Sequence, residues 1–133
     1  NELDLKNTVA AFEVGCPNFA GIFSLGAALD LLVKIGPSHI EARIHELTDY
    51  LHDALHNRNF EIASPSDRCD RAGITIVVVQ TPEEVVKALT QRNILTAARG
   101  RGVRVSLHIF NTFEDVDRFV EALEEIEKPE VAR

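Results

Sequence analysis

The sequence has few of the residues that mark disulfide-rich, zinc-binding or nucleic-acid-binding proteins. Its two cysteines, Cys16 and Cys69, are far apart and form no CxxC pair, so neither a disulfide framework nor a thiolate zinc site is indicated. Lys and Arg number 14 against 21 Asp and Glu, which gives a net charge of −7 and no basic surface for a phosphate backbone. We therefore expect reduced thiols in a cytoplasmic protein that has no nucleic-acid partner.

Patterns that direct a chain into or across a membrane are also missing. Residues 1–7 are polar and carry two acids, whereas a signal peptide opens with a basic patch followed by an apolar run. The most apolar stretch, Phe19–Ile35, contains Asp30 and Lys34 and falls short of the roughly 20 apolar residues that a spanning helix needs. This stretch predicts a helix of a soluble protein, buried on all sides, and no membrane partner.

Length and composition describe an ordinary globular chain. With 133 residues, 45% apolar positions and only 7 Gly and 5 Pro, the sequence fits one domain, or one domain with an appended segment. The sequence contains no Met, even at position 1. We expect from this that the chain is processed, truncated or cut from a longer protein.

The spacing of apolar residues predicts an α+β fold. The predicted helices are 19–35, 38–57, 82–92 and one from 113 to the Lys128-Pro129 stop, and the predicted strands are 60–63, 73–79, 93–98 and 103–107. We expect strand 73–79 to be central because it is rich in β-branched residues. Ser38, Thr81 and Thr112 are predicted N-caps, with Glu41 completing a capping box for Ser38. The pattern divides the chain into 1–36 and a small sandwich, 37–133.

Three histidines and an aspartate lie on one face of the second predicted helix. His45, Asp49, His52 and His56 follow spacings of 4, 3 and 4, which a metal site on a helix would need. The apolar stripe of this helix lies almost opposite, so we expect the histidines to point to solvent and assign no metal site. Metal binding by this face remains an alternative, which predicts that a chelator changes the melting temperature.

Three arginines surround a predicted turn between the last two strands. Arg99, Arg101 and Arg104 present planar guanidinium groups, which are suited to bidentate binding of a carboxylate. Alternation along the strand places Val103 and Val105 toward the core and Arg104 on the opposite face. The alternative is that these side chains are solvated or paired with the surplus acids.

A glycine precedes the apolar helix in the segment FEVGCPN, residues 12–18. Backbone amides near a helix N-terminus can bind an anion, which makes Gly15 and Cys16 candidates for a phosphate contact. The alternative is that Gly15 only shapes the loop.

Taken in order, three motifs resemble the C-terminal part of class V aminotransferases. They are FEVGCPN, then IG-x-x-x-I-x-x-R-x-x-x-L, and finally VRVSLHIFNTFEDVDRFVEAL. This family of pyridoxal-phosphate (PLP) enzymes of fold type I includes cysteine desulfurases, selenocysteine lyases and isopenicillin-N-epimerase-like proteins. The resemblance implies that 37–133 is the small C-terminal domain, with a short, mainly antiparallel sheet packed by helices. It implies that 1–36 is the tail of the large PLP-binding domain with a buried linker helix.

The resemblance also implies roles for the candidate residues. In relatives, the arginine at the position of Arg104 binds the α-carboxylate of an amino-acid substrate, and an arginine at the position of Arg99 lines the same pocket. The family's Gly-Thr pair, which reaches the PLP phosphate of the neighbouring subunit of a homodimer, reads Gly15-Cys16 here. A thiol is a poorer donor than a hydroxyl, so the backbone amides are the expected contacts.

Two departures from the family pattern limit what the resemblance implies. Desulfurase members carry a nucleophilic cysteine before the carboxylate-binding arginine, whereas residues 97–103 contain none, so persulfide chemistry is not implied. The lysine that carries PLP is expected upstream of Asn1, because Lys6, Lys34, Lys87 and Lys128 match no such motif.

We therefore assign no catalytic residue to this chain and expect it to be inactive alone. The alternative function is a stand-alone carboxylate-binding or regulatory module that uses Arg99 and Arg104 and dimerises through 19–35.

Overall fold

The computed structural model describes residues 7–12 and 15–128. The chain divides into two compact units, Asn1–Gly36 and Pro37–Arg133. Lys6, Glu13, Val14 and Pro129, which belong to the segments discussed above, lie outside the described residues.

The first unit contains a short 3₁₀ helix, Val9–Phe12, and helix α1, Phe19–Ile35. Asn18 caps α1, since its side-chain Oδ1 accepts a hydrogen bond from the Gly21 amide at 3.0 Å. Gly36 ends the helix with a φ of 93°, which favours glycine. The helix has the predicted bounds, but no residue of α1 is buried. Burial on all sides was therefore wrong for this chain, because covering such a helix requires more apolar surface than a unit of this size holds.

Helix α2, Pro37–His56, opens the second unit. The predicted stripe of apolar residues is confirmed, because Leu47, Leu51 and Leu55 are fully buried. The predicted N-cap at Ser38 was wrong, since the helix already begins at Pro37, whose fixed φ suits the first helical position. No single helix among the described residues is long and apolar enough to cross a membrane; α1 and α2 meet the length and composition test only when they are counted together.

A three-stranded antiparallel sheet forms the other layer of this unit. It consists of β1 (Ile74–Val78), β2 (Ala97–Arg99) and β3 (Gly102–Ser106), in the order β1-β3-β2. The prediction that strand 73–79 is central was wrong, because β3 pairs with both other strands. Residues 60–63 contribute one isolated bridge, between Ile62 and Val77, instead of a full strand.

The predicted strand 93–98 is also shortened at its start. Asn93 takes a φ of 60°, and the amides of Asn93 and Ile94 donate to carbonyls in the last turn of the preceding helix. These residues therefore close that helix before the chain enters β2.

Helices α3 (Pro82–Gln91) and α4 (Phe113–Glu127) complete the fold. Thr81 is the N-cap of α3, as predicted, although its side chain makes no capping hydrogen bond. Thr112 and Asp115 form a reciprocal capping box at the start of α4. Helices α2, α3 and α4 pack on the face of the sheet that carries Thr75, Val77, Val103 and Val105, all of which are buried. The opposite face of the sheet is only partly covered, and we call it the open face.

Candidate functional site

Arg99 and Arg104 share the open face of the sheet. In the register of the β2–β3 hairpin, Arg104 lies opposite Ala97, and Arg99 lies opposite Gly102. Residues two positions apart on a strand face the same side, so the two arginines are diagonal neighbours, within reach of each other for long side chains. The structure therefore brings the two predicted arginines together on one surface.

The environment of Arg104 leaves its guanidinium unpaired. The side chain is half-buried, and its Nε is enclosed without a hydrogen-bond partner among the described residues. Arg99 is exposed and likewise has no ion pair within the described part of the chain. Enclosed donors without partners are costly, so this pair of cations is suited to an anionic ligand.

Arg101, the third arginine of the cluster, is already paired. Its Nη2 donates to Oε1 of Glu61, in the segment beside β1, at 2.7 Å. The turn itself is a two-residue loop in which Gly100 has a φ of 57°. A glycine is also required at Gly102, since a Cβ there would lie 2.3 Å from the carbonyl oxygen of Val77. These constraints fix the hairpin that aligns Arg99 and Arg104.

Gly15 and Cys16 lie in the first unit, ahead of α1. Gly15 has a φ of 86°, and a Cβ placed there would meet nothing within 4 Å, so its backbone borders open space. Cys16 is an exposed free cysteine. Two amides beside a helix N-terminus fit one edge of a phosphate group, and the thiol adds only a weak donor. The residues present are thus compatible with a partial contact to a phosphorylated cofactor.

The histidine face of α2 differs from its prediction. We expected His45, His52 and His56 to point to solvent, but His52 is only 7% exposed and its Nε2 lies 3.2 Å from Thr75 Oγ1. Arg71 from the loop before β1 pairs with Asp49, and Arg68 lies 3.3 Å from the same carboxylate. The solvent prediction is confirmed for His56, which is exposed, and was wrong for His52. The loop before β1 and Thr75 cover this part of the helix, and helical periodicity does not report such long-range contacts.

Burial and charge together keep His52 neutral. Desolvation is the main cause that lowers the pKa of His52 below 6.5, and the Arg71 cation and His56 lower it further. Asp49 and Asp53 oppose the shift. Within residues 7–12 and 15–128, no three His, Cys, Asp or Glu side chains are grouped as metal ligands. The described geometry gives His52 a structural contact with the sheet.

Comparison with known proteins identifies the family. The sequence pattern that defines the class-V aminotransferase family matches residues 1–119 of this chain. The chain belongs to the class-V aminotransferase family. This confirms the resemblance read from the three sequence motifs. Members of the family depend on PLP.

Relatives of this class-V aminotransferase chain include proteins named as probable cysteine desulfurases. One from Halalkalibacterium halodurans is 32% identical over 85% of this chain and 31% of its own length, and one from Chlamydia trachomatis is 29% identical over 94% and 35%. The chain therefore spans about a third of the length of these curated relatives.

Solved structures agree with this relationship. A cysteine desulfurase from Thermococcus onnurineus, solved in its apo form, superposes with a TM-score of 0.85 at 25% identity, covering 93% of this chain and 35% of that protein. An alanine–glyoxylate aminotransferase from Nostoc superposes with a TM-score of 0.68 at 20% identity over 90% of this chain and 34% of that one, a likeness of fold alone. The α+β fold with four helices and a three-stranded antiparallel sheet thus matches part of a cysteine desulfurase structure.

Proposed function

We propose that this chain is the C-terminal portion of a PLP-dependent class-V aminotransferase-like enzyme that acts on an amino acid. Its role is to bind the α-carboxylate of the substrate through Arg104, with Arg99 beside it. The observation that carries the proposal is the enclosed, unpartnered Nε of Arg104 next to a second unpaired guanidinium on the open face. Family membership supports it.

Physical chemistry favours a carboxylate at this position. Arg104 presents a planar fork of donors that matches two carboxylate oxygens, and the neighbouring Ile76 provides an apolar surface that limits water. Arg99 adds a second positive charge, which is not neutralised by an acid among the described residues. Arg101 cannot take this role as readily, because Glu61 already occupies its guanidinium.

The cofactor contact belongs to the first unit. When bound, PLP supplies an electron sink for bonds at the α-carbon of the amino acid. In our proposal the amides of Gly15 and Cys16 donate to the cofactor phosphate in the neighbouring subunit of a homodimer. The lysine that holds the cofactor comes from the large domain, because Lys34, Lys87 and Lys128 match no such motif; Lys128 instead lies 4.9 Å from the centre of the Phe60 ring.

The two units receive different parts in the proposal. Residues 37–133 form the small domain of a fold-type-I enzyme, and residues 1–36 form the tail of the large domain with its linker helix. The exposure of Phe19, Phe23 and Val33 on α1 supports this division, since such apolar surface is usually covered by protein. The net charge of −7 supports the absence of a nucleic-acid partner. Our proposal places the enzyme in the cytoplasm without a membrane partner.

Replacement of Arg104 in the PLP-loaded enzyme tests the proposal. Arg104→Gln is expected to raise the KM for the amino acid by about 10-fold to 100-fold, the range for loss of a charge-assisted hydrogen bond. Arg101→Gln is the matched control, because it removes an arginine from the same turn that is paired with Glu61. A KM that rises with Arg101→Gln and stays unchanged with Arg104→Gln would contradict the assignment.

The alternative is a stand-alone module that binds a small carboxylate. The observation that favours it is the separate hydrophobic core of the second unit, which contains Leu47, Val103 and Leu123. Titration of the 133-residue chain with amino acids in the absence of PLP distinguishes the two functions. A stable dimer in gel filtration with tight binding that Arg104→Gln abolishes supports the module, whereas aggregation or the absence of Arg104-dependent binding supports the enzyme portion.

A further inference from the structure

A cavity of about 290 Å³ lies in the second unit, on the side of the sheet that faces the helices. Its walls come from the start of α4, the end of β3 and residues 93–96. Four buried apolar residues, Leu51, Val105, Val116 and Phe119, form its floor, whereas Leu95 at its edge is 86% exposed. This volume is at the lower limit of small-molecule pockets, which span roughly 300–1,000 Å³. A ligand here would be small, with an apolar body.

Two opposite charges on α4 also line the cavity. Asp115 is half-buried, and its Oδ2 accepts a hydrogen bond from the Thr112 amide at 3.0 Å, which fixes the orientation of the carboxylate. That bond is the main cause that lowers the pKa of Asp115, so the group stays ionised near neutral pH. Arg118 is exposed one turn later and has no ion pair or hydrogen bond to another described residue.

The charge of Arg118 helps to lower the pKa of Asp115, but the two side chains are not in contact as an ion pair. They are three residues apart on a helix, a spacing at which side chains can meet, yet the structure forms no ion pair between these two described residues. Thr96 adds a hydroxyl whose oxygen is enclosed in the cavity wall without a hydrogen-bond partner within the described part of the chain. One negative group, one positive group and one unpaired hydroxyl therefore surround an apolar floor.

We propose that this cavity binds a zwitterionic α-amino acid with an aliphatic side chain. Its ammonium group pairs with Asp115, its carboxylate pairs with Arg118 and accepts from the Thr96 hydroxyl, and its side chain contacts Leu51 and Phe119. The cavity is a second site, because Val105 in its wall faces the helices whereas Arg104 lies on the open face. A ligand would join α4 to residues 93–96, which lead into the strand that carries Arg99.

Amide NMR of the full 133-residue chain tests this inference with three probes. They are L-leucine, 4-methylpentanoate, which lacks the ammonium group, and 3-methylbutylamine, which lacks the carboxylate. We expect leucine to shift the amide signals of residues 93–96 and 115–119, with an affinity about tenfold or more above that of either singly charged analogue. No shift at these residues with about 10 mM leucine, ten times a weak millimolar Kd, overturns the proposal. Equal binding of an analogue overturns the zwitterion assignment.

Variants separate this cavity from the open face. Arg118→Gln is expected to weaken leucine binding about tenfold while the spectrum stays dispersed, since the side chain is exposed. Arg68→Gln is the matched control because it removes the same charge from an exposed loop arginine. Arg104→Gln is expected to remove only those leucine-induced signal shifts that arise at the open face. If Arg68→Gln weakens the signal shifts as much as Arg118→Gln does, the effect is general electrostatics and the proposal fails.

Discussion

The two faces of the sheet in the second unit have opposite chemistry. The covered face presents Val77, Val103 and Val105 to the helices, and these side chains are almost fully buried. The open face carries Arg99 and Arg104 beside partly exposed apolar residues, with no ion pair for either arginine among the described residues. One face thus holds the fold together, and the other keeps charge available for a ligand. Stability and binding should therefore respond to different substitutions.

The largest expected effect on stability comes from the core between the covered face and the helices. Leu51→Ala removes a fully buried side chain from α2 and should lower the free energy of unfolding by about 2–5 kcal/mol, through lost burial and the cavity left behind. Ile74→Ala on the open face is the control, since Ile74 is 52% exposed and should cost less than 1–2 kcal/mol by the ~25 cal/mol per Å² rule. Urea unfolding measures both. Similar losses for the two variants would contradict the comparison.

A change of pH is expected to have an intermediate effect on stability, through His52 of α2, which contacts Thr75 on the covered face. Its pKa in the folded chain is lowered below 6.5, chiefly by burial, so the folded state binds fewer protons than the unfolded state below that pH. The stability that neutral His52 contributes is fully present above pH 6.5 and is lost as pH falls through the lowered pKa. Urea midpoints at about pH 7.5 and pH 5.5, on either side of the unperturbed value, measure this loss.

A His52→Gln variant should show a smaller decrease in urea midpoint between these two pH values. His108→Gln is the matched control, because His108 is exposed and stacks on Phe110. An unchanged pH dependence in His52→Gln would contradict the assignment of the loss to His52.

The smallest expected effect on stability comes from the open face itself. Arg104→Gln should change the free energy of unfolding by no more than about 0.5 kcal/mol, because its guanidinium has no protein partner among the described residues. The same variant should lose carboxylate binding at the open face. Urea unfolding measures the change in free energy, and the amide signals of the open face in an amino-acid titration measure the change in binding. A loss of stability comparable with that of Leu51→Ala would mean that Arg104 is structural.

Local patterns predicted most of the fold. The N-cap at Thr112 and the full length of α1 follow from residues close in sequence, and the alternation of Val103, Arg104 and Val105 gave the correct faces of β3. The start of β2 was missed because Asn93 adopts a positive φ and closes α3, a choice that apolar spacing does not report. Strand order also depends on pairing between distant residues, so the central strand was assigned incorrectly.

The candidate functional residues also differ in whether a local sequence pattern reveals them. Arg99 and Arg104 could be found because strand alternation and a glycine turn place them on one side. The burial of His52 could not, since it depends on Arg71 and Thr75, which lie about twenty residues further along the chain. The lining of the cavity beside Arg118 comes from separate segments between Leu51 and Phe119, so no short sequence motif contains it.

Gly102 makes the alignment of the two arginines sensitive to mutation elsewhere. Any residue with a β carbon at this position would come within 2.3 Å of the Val77 carbonyl, so β1 and β3 would have to move apart. Every single-base change in a glycine codon that is not silent introduces such a carbon or ends the chain. Evolution can therefore retain Arg99 and Arg104 in the sequence and still lose their common surface through one neutral-looking substitution between them.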